Sequence, residues 1–261
     1  PIQVTYLGYP HTTGMRQIDY RFTDRVADHA DQRPFYAEQL IQLDTCFACY
    51  RPPELPLKLS QPPVLKQGYI TFGAFIGSEK HNLVTVSMWA KVLETNPEAK
   101  LLLRFRVAQE GLVQQQCIEA FVRRGIHPER IVFDGMRGPE DHLLVYNQID
   151  IALDTYPWNS HTSMCEALWM GVPVVTLTGK AFVSRMGRSV LDRLDLSFFS
   201  AASSGEYVKK ATALAQDTSA LAKLRSTLRG RMRSSVICDS KAQARAVEGA
   251  YRDMWYQWCR K

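Results

Sequence analysis

The chain has 261 residues, of which 46% are hydrophobic, and a formal net charge of +6. No apolar run reaches the roughly 18 residues of a membrane span, and the first residues lack the pattern of a signal peptide. The modest positive excess lies mostly along predicted helices and accompanies no nucleic-acid-binding motif, so neither a membrane nor a nucleic acid is an expected partner.

The chain divides into three predicted segments: 1–66, 67–236 and 237–261. The first combines an isolated strand at 2–8 with a turn-rich stretch, and its proline-rich end, 51–63, should run as an extended linker. The last is an amphipathic helix whose terminal aromatic residues predict that it docks onto another surface. Because the first strand begins almost at once, we expect the chain to be a piece of a longer protein.

The six cysteines include one close pair, Cys46 and Cys49. A zinc site would need two more ligands at similar spacing, and none is evident in the sequence. We therefore expect buried, reduced thiols, which are typical of a cytoplasmic protein.

From residue 69 onwards, apolar strands alternate with helices. Strands are predicted at 69–75, 99–105, 130–135, 149–155 and 173–179, and helices at 82–96, 110–125, 139–148, 162–171, 182–194, 204–216, 219–234 and 240–258. Strands that are apolar along their whole length belong to parallel sheets that helices cover on both faces. Right-handed crossovers then predict an α/β fold with a doubly wound, Rossmann-like parallel sheet.

Ligands of such sheets bind at the carboxyl ends of the strands, and two loops stand out there. The stretch 159–163 is rich in hydroxyls and precedes a helix. Its residues could simply cap that helix, with Glu166 three residues after Ser163 as in a capping box. Alternatively, the free N–H groups of the helix start and the side chain of His161 could bind phosphate.

The loop after the first strand of the sheet contains Gly73, Gly77 and Lys80, but it matches neither a dinucleotide-binding motif nor a P-loop. Lys80 is either a solvated lysine or, if it points into the same cleft as His161, a cation for a diphosphate. These loops contain no pair of aspartates spaced to hold a divalent cation, so we expect no metal ion and no cofactor.

Three ordered stretches carry a resemblance to a known family: 1–24 ("PIQVTYLGYPHTTGMRQIDYRFTD"), 72–93 ("FGAFIGSEKHNLVTVSMWAKVL") and 159–179 ("NSHTSMCEALWMGVPVVTLTG"). Together they resemble the C-terminal catalytic part of the O-GlcNAc transferase family, which includes the bacterial members and the SPINDLY proteins. The resemblance implies the C-terminal half of a GT-B glycosyltransferase, in which two Rossmann-like halves face a cleft.

The resemblance also implies an activity. Such enzymes pass a sugar, usually GlcNAc from UDP-GlcNAc, to a serine or threonine hydroxyl of a protein, with inversion and without metal. Most of the N-terminal catalytic half and the tetratricopeptide repeats would be partners outside this chain. Two alternatives stay open: the same fold with GDP-fucose or UDP-glucose as donor, and a nucleotide-sugar-binding pseudoenzyme or a fragment that is inactive without the other half.

On the phosphate side, the resemblance implies that Lys80 contacts the diphosphate and is the catalytic residue. His161, Thr162 and Ser163 correspond to the family's phosphate cradle. Gly77 belongs to the same donor site, at a position where relatives often carry Gln or Asn.

On the nucleoside side, the resemblance places Glu166 at the ribose and His142 near the uracil. Met136 and Arg137 would line the pocket for the base. A donor site for a UDP-sugar therefore spans three loops of the predicted sheet.

Overall fold

The computed structural model describes residues 1–77, 80–105, 110–135 and 139–260. Its strands are β1 (Val4–Thr5), β2 (Tyr20–Asp24), β3 (Gln39–Leu43), β4 (Thr71–Ile76), β5 (Lys100–Phe105), β6 (Ile131–Phe133), β7 (Ile151–Leu153), β8 (Val174–Leu177) and β9 (Ser200–Ala201). Its α-helices are α1 (Val64–Gln67), α2 (Leu83–Thr95), α3 (Glu110–Val122), α4 (Pro139–Leu144), α5 (Thr162–Trp169), α6 (Met186–Asp192), α7 (Ser204–Ala215), α8 (Thr218–Ser234) and α9 (Ser240–Cys259).

The larger sheet has six parallel strands in the order β6-β5-β4-β7-β8-β9. The order reverses direction between β4 and β7, which makes it a doubly wound sheet and confirms the predicted fold. Its central strands are buried, β4 along its whole length, because helices cover both faces. The carboxyl ends of β4 and β7 therefore lie side by side where the order reverses, and the carboxyl end of β6 lies on the same edge of the sheet, beyond β5.

Three elements of this part differ from the prediction. The helix predicted at 139–148 is α-helical only to Leu144 and continues as the 3-10 turn Val145–Gln148. The helix predicted at 182–194 is broken at Arg185, between the 3-10 turn Phe182–Ser184 and α6. The short edge strand β9 was not predicted, since two residues carry no periodicity.

The N-terminal segment contains a second sheet, so the prediction of one isolated strand is wrong. Here β1, β2 and β3 pair in parallel in that order. The sequence of β2 does not show the apolar pattern of a buried strand, because Arg21, Thr23 and Asp24 are polar and yet buried. Each has internal partners: Arg21 donates to the carbonyls of Tyr9 and His11, and Thr23 donates to Asp28.

Asp24 joins the N-terminal sheet to the rest of the molecule. Its carboxylate accepts hydrogen bonds from the backbone N–H of Phe47 at 2.7 Å and from the hydroxyl of Ser189 on α6 at 2.5 Å. On the other side, α9 packs against the same sheet through Tyr251, which lies edge-on to Phe22, and through buried Met254. The docking predicted for α9 is thus partly found, whereas its last aromatic residues, Trp255, Tyr256 and Trp258, stay exposed.

The cysteines among the described residues are free thiols. Cys46 is buried, and burial raises its pKa to about 12, which keeps the thiol protonated. Among the described helices, none is long and apolar enough to cross a membrane. The division into segments at 66 and 236 stays a prediction.

Candidate functional site

The loop after β7 is fixed by Asp154, a fully buried carboxylate. One carboxylate oxygen accepts from the N–H groups of Thr155 at 2.9 Å and Ser160 at 2.8 Å, and from the Ser160 hydroxyl at 2.6 Å. The other accepts from the Thr176 hydroxyl at 2.6 Å. Burial raises the pKa of Asp154 although these hydrogen bonds oppose the shift. One carboxylate thus holds both ends of the segment 155–160 against the sheet.

The start of α2 is tied to the same loop. Asn82 caps α2 by accepting from the N–H groups of Val84 and Thr85, and its amide donates to the carbonyl of Tyr156 at 2.8 Å. The Thr85 hydroxyl donates to that carbonyl at 2.9 Å. These bonds bring Lys80, two residues before the cap, to the loop after β7.

Lys80 lies where the sequence predicted it, beside the start of α5. Its Nζ donates to the carbonyl of Asn159 at 3.2 Å and sits 4.8 Å from the centroid of the Trp158 ring. Its positive charge also lowers the pKa of His161. The lysine from one strand end and the helix start from another therefore converge at one place on the carboxyl edge of the sheet.

His161 occupies the N-cap position of α5, but its side chain makes no capping bond. Its Nε2 is buried and has no hydrogen-bond partner among the residues described, and its ring lies 4.9 Å from that of Phe47. Burial first, and Lys80 second, lower the pKa of His161 to about 4, so the imidazole is neutral near pH 7. The first N–H groups of α5, at Thr162 and Ser163, have no partner within the helix.

The predicted capping box is wrong. Ser163 lies inside α5, and Glu166 reaches towards α4 instead of back to the helix start. One oxygen of Glu166 contacts Nε2 of His142 at 3.0 Å and accepts from the hydroxyl of Tyr146 at 3.2 Å. That hydroxyl is also 3.0 Å from the carbonyl of Ser163. Glu166 bonds to His142 and Tyr146, which are distant in sequence, and not to the backbone at the start of its own helix.

Tyr146 is a site residue that the sequence analysis missed. It is buried, its ring packs edge-on against Phe75, and its hydroxyl joins Ser163 to Glu166. A signal was present, because residues four apart share a face of a helical turn and Tyr146 follows His142 by four.

The remaining predicted residues are placed as follows. Gly77 directly follows β4, and its carbonyl accepts from the N–H of Lys80 at 3.1 Å. Met136 and Arg137 lie outside the described residues. The described part of the chain holds no group of three side chains that could bind a metal ion.

The site therefore has two arms joined by α5. We name the two arms after the donor groups that the family resemblance implies for them. The phosphate arm consists of Lys80, His161 and the first turn of α5. The nucleoside arm consists of His142, Tyr146 and Glu166, one helical turn further along. Positive charge, a helix N-terminus and neutral donors make the first arm fit for an anion, and the polar groups of the second can contact hydroxyl or amide groups.

Comparisons with known proteins show the family of the chain. Residues 52–247 match the model of glycosyl transferase family 41. Two curated relatives are each named a probable UDP-N-acetylglucosamine--peptide N-acetylglucosaminyltransferase SPINDLY. The one from Oryza sativa subsp. japonica is 37% identical over 99% of this chain, and the one from Arabidopsis thaliana is 35% identical over 100% of it. The chain spans only 28% and 29% of their lengths.

A solved structure is also similar over the whole chain. A Thermobaculum terrenum O-GlcNAc transferase mutant matches with a TM-score of 0.91 and 34% identity, covering 100% of this chain and 49% of that one. The α/β fold is thus that of the C-terminal half of a GT-B glycosyltransferase. With the family model covering residues 52–247, the chain belongs to glycosyl transferase family 41.

Proposed function

We propose that this chain is the donor-binding half of a cytoplasmic enzyme that transfers GlcNAc from UDP-GlcNAc to serine or threonine hydroxyls of proteins. The transfer inverts the sugar's configuration and needs no metal ion. The observation that carries the proposal is the convergence of Lys80 with the start of α5 at His161, beside the His142–Glu166 pair.

The phosphate arm suits the charge that this reaction develops. As the acceptor hydroxyl gives up its proton to a base and its oxygen bonds to the anomeric carbon, the bond from that carbon to the diphosphate breaks and leaves negative charge on the departing phosphate. Preorganised donors at that position stabilise the transition state more than the ground state. Lys80 supplies a positive charge, and the N–H groups of Thr162 and Ser163 supply fixed dipoles, which together do the work of a divalent cation.

The neutral state of His161 supports the same role. A buried imidazole with a pKa of about 4 can donate one N–H to a phosphate oxygen without adding a second buried cation beside Lys80. Its Nε2 has no partner among the described residues, which is the state expected of a group reserved for a ligand.

Calorimetric titration of the chain with UDP, GDP, UDP-GlcNAc, UDP-glucose and GDP-fucose tests the donor assignment. We expect UDP and UDP-GlcNAc to bind more tightly than the guanine nucleotides, and UDP-glucose to bind more weakly than UDP-GlcNAc. Preferential binding of GDP or GDP-fucose would show that the donor is a GDP-sugar and not UDP-GlcNAc. If none of the five ligands bound, the proposal would be contradicted.

Replacing Lys80 tests the catalytic assignment. We expect Lys80→Ala to lower sugar transfer to a serine-containing peptide at least ~100-fold, measured with the preceding catalytic half joined to this chain. Lys91→Ala is the matched control, because Lys91 lies on the exposed face of α2 and pairs with Glu94. Equal rates for the two variants would remove Lys80 from the mechanism.

A further inference from the structure

Arg104 is a buried cation at the carboxyl end of β5, with a relative exposure of 5%. A charge in such a place is costly unless hydrogen bonds and an opposite charge compensate it. Arg104 has no role predicted from the sequence, because the strand 99–105 has an apolar pattern. The partners that compensate its buried charge lie next to the nucleoside arm.

The guanidinium of Arg104 holds two chain segments at once. One terminal nitrogen forms an ion pair with the carboxylate of Asp134 and lies 3.3 Å from the carbonyl of Gly135, just after β6. The other lies 3.4 Å from the carbonyl of Asp141, within α4. Both ends of the segment 135–141 are therefore attached to a single side chain.

The next residue along α4 is His142, which contacts Glu166 on α5 at 3.0 Å. The bonds of Arg104 thus set where α4 begins relative to β6, and α4 in turn carries His142 to the nucleoside arm. Only a planar fork with several fixed donors can reach a carboxylate and two carbonyls together. A lysine keeps the charge but cannot reproduce that geometry.

We infer that Arg104 is a positioning residue for nucleobase selectivity: it fixes Gly135 and Asp141 and, through Asp141, the neighbouring His142, on the side of the site that distinguishes one base from another. The inference rests on the proposed function, since it assumes that a nucleotide occupies the two arms. Arg104 itself is held by protein groups and does not need to touch the ligand.

Arg104→Lys is the test, with Arg130→Lys as matched control. Arg130 forms a similar fork at the opposite, amino edge of the sheet, donating to the carbonyls of Leu93, Asn96 and Ala99 at 2.7–2.9 Å. Calorimetry of the whole chain with UDP, GDP and pyrophosphate separates the two arms, and thermal unfolding reports the structural cost of each variant.

We expect Arg104→Lys to weaken UDP about 10-fold and to bring the UDP-to-GDP affinity ratio towards one, while pyrophosphate affinity changes less than about 2-fold. Arg130→Lys should lower the melting temperature without changing the ratio. Asp134→Asn should reproduce the loss of selectivity, and the double variant Arg104→Lys/Asp134→Asn should lose no more than the stronger single variant, because both act through one ion pair.

An unchanged UDP-to-GDP ratio in Arg104→Lys would overturn the inference, as would an equal loss of pyrophosphate binding or a wild-type chain that binds UDP and GDP equally. A wild-type chain that binds neither nucleotide would contradict the proposed function as well, so the two failures are distinguishable.

Discussion

The two arms of the site are anchored by buried ions of opposite sign. In the phosphate arm, the anion Asp154 accepts four hydrogen bonds and fixes the loop that leads to α5. In the nucleoside arm, the cation Arg104 donates to three groups and ties the end of β6 to α4 at Asp141. In both, the anchoring residue is buried, and a different residue, Lys80 or His142, is the one that we propose to face the ligand.

This difference teaches that anchoring and ligand contact can be perturbed separately. Changing an anchor should affect stability and one arm of the site together. Changing a contact residue should affect binding with little loss of stability.

Asp154→Asn should have the largest effect. The amide group presents N–H towards the hydroxyl or backbone donors that now bond to a carboxylate, leaving buried polar groups unpaired. We expect the free energy of unfolding to fall by about 2–3 kcal/mol, measured by denaturant titration. UDP and pyrophosphate affinities should fall together, while the UDP-to-GDP ratio stays unchanged.

Asp150→Asn is the control for this prediction. Asp150 is equally buried but lies at the amino end of β7, where it accepts from the N–H groups of Val64 at 3.0 Å and Thr71 at 2.8 Å. It should cost stability without changing pyrophosphate affinity. If both variants lost the same binding, Asp154 would be a structural residue only.

Much of this architecture could be predicted from the sequence, but the anchors could not. Apolar strands such as β4 and the rule that ligands bind at carboxyl ends placed the loops of Lys80 and His161 on the same edge of the sheet, but left open whether Lys80 points towards His161. Arg104, Tyr146 and Asp154 are polar residues inside apolar stretches, and periodicity cannot show which partners satisfy them. For the same reason the N-terminal sheet could not be predicted, because β2 buries polar side chains and so lacks an apolar strand pattern.

Acid sensitivity should reveal the burial of His161. Its pKa is about 4 in the folded chain and near 6.5 when unfolded, so only the unfolded state takes up a proton between these values. Stability is therefore lost as the pH falls from about 6.5 towards 4. Between pH 7 and pH 5, the free energy of unfolding should fall by about 1–2 kcal/mol more in the wild type than in His161→Gln, as measured by denaturant titration.

His127→Gln is the control, because it removes an exposed histidine that lies outside the site. A His161→Gln variant that loses stability in acid as steeply as the wild type would show that another group carries the effect.

Alanine variants of His161 and His142 should differ in which ligand they weaken, because the two histidines belong to different arms. His161→Ala should weaken UDP about 10-fold and uridine less than about 2-fold, since we propose that its donor faces the phosphates. His142→Ala should weaken UDP and uridine by similar factors, because its contact with Glu166 belongs to the nucleoside arm. Calorimetry with both ligands checks this, and equal losses for His161→Ala would contradict its assignment.

Trp158→Leu should have the smallest effect, because Trp158 influences binding only through its contact with Lys80. The indole ring, 42% exposed, lies 4.8 Å from Nζ of Lys80, and such a half-exposed cation–π contact contributes about 0.5–1 kcal/mol. Losing it should weaken UDP about 2- to 5-fold by calorimetry. Trp158→Phe should restore most of the affinity, since a phenyl ring keeps an aromatic face beside the ammonium. If leucine and phenylalanine weakened UDP equally, the ring would orient Lys80 by shape rather than by charge.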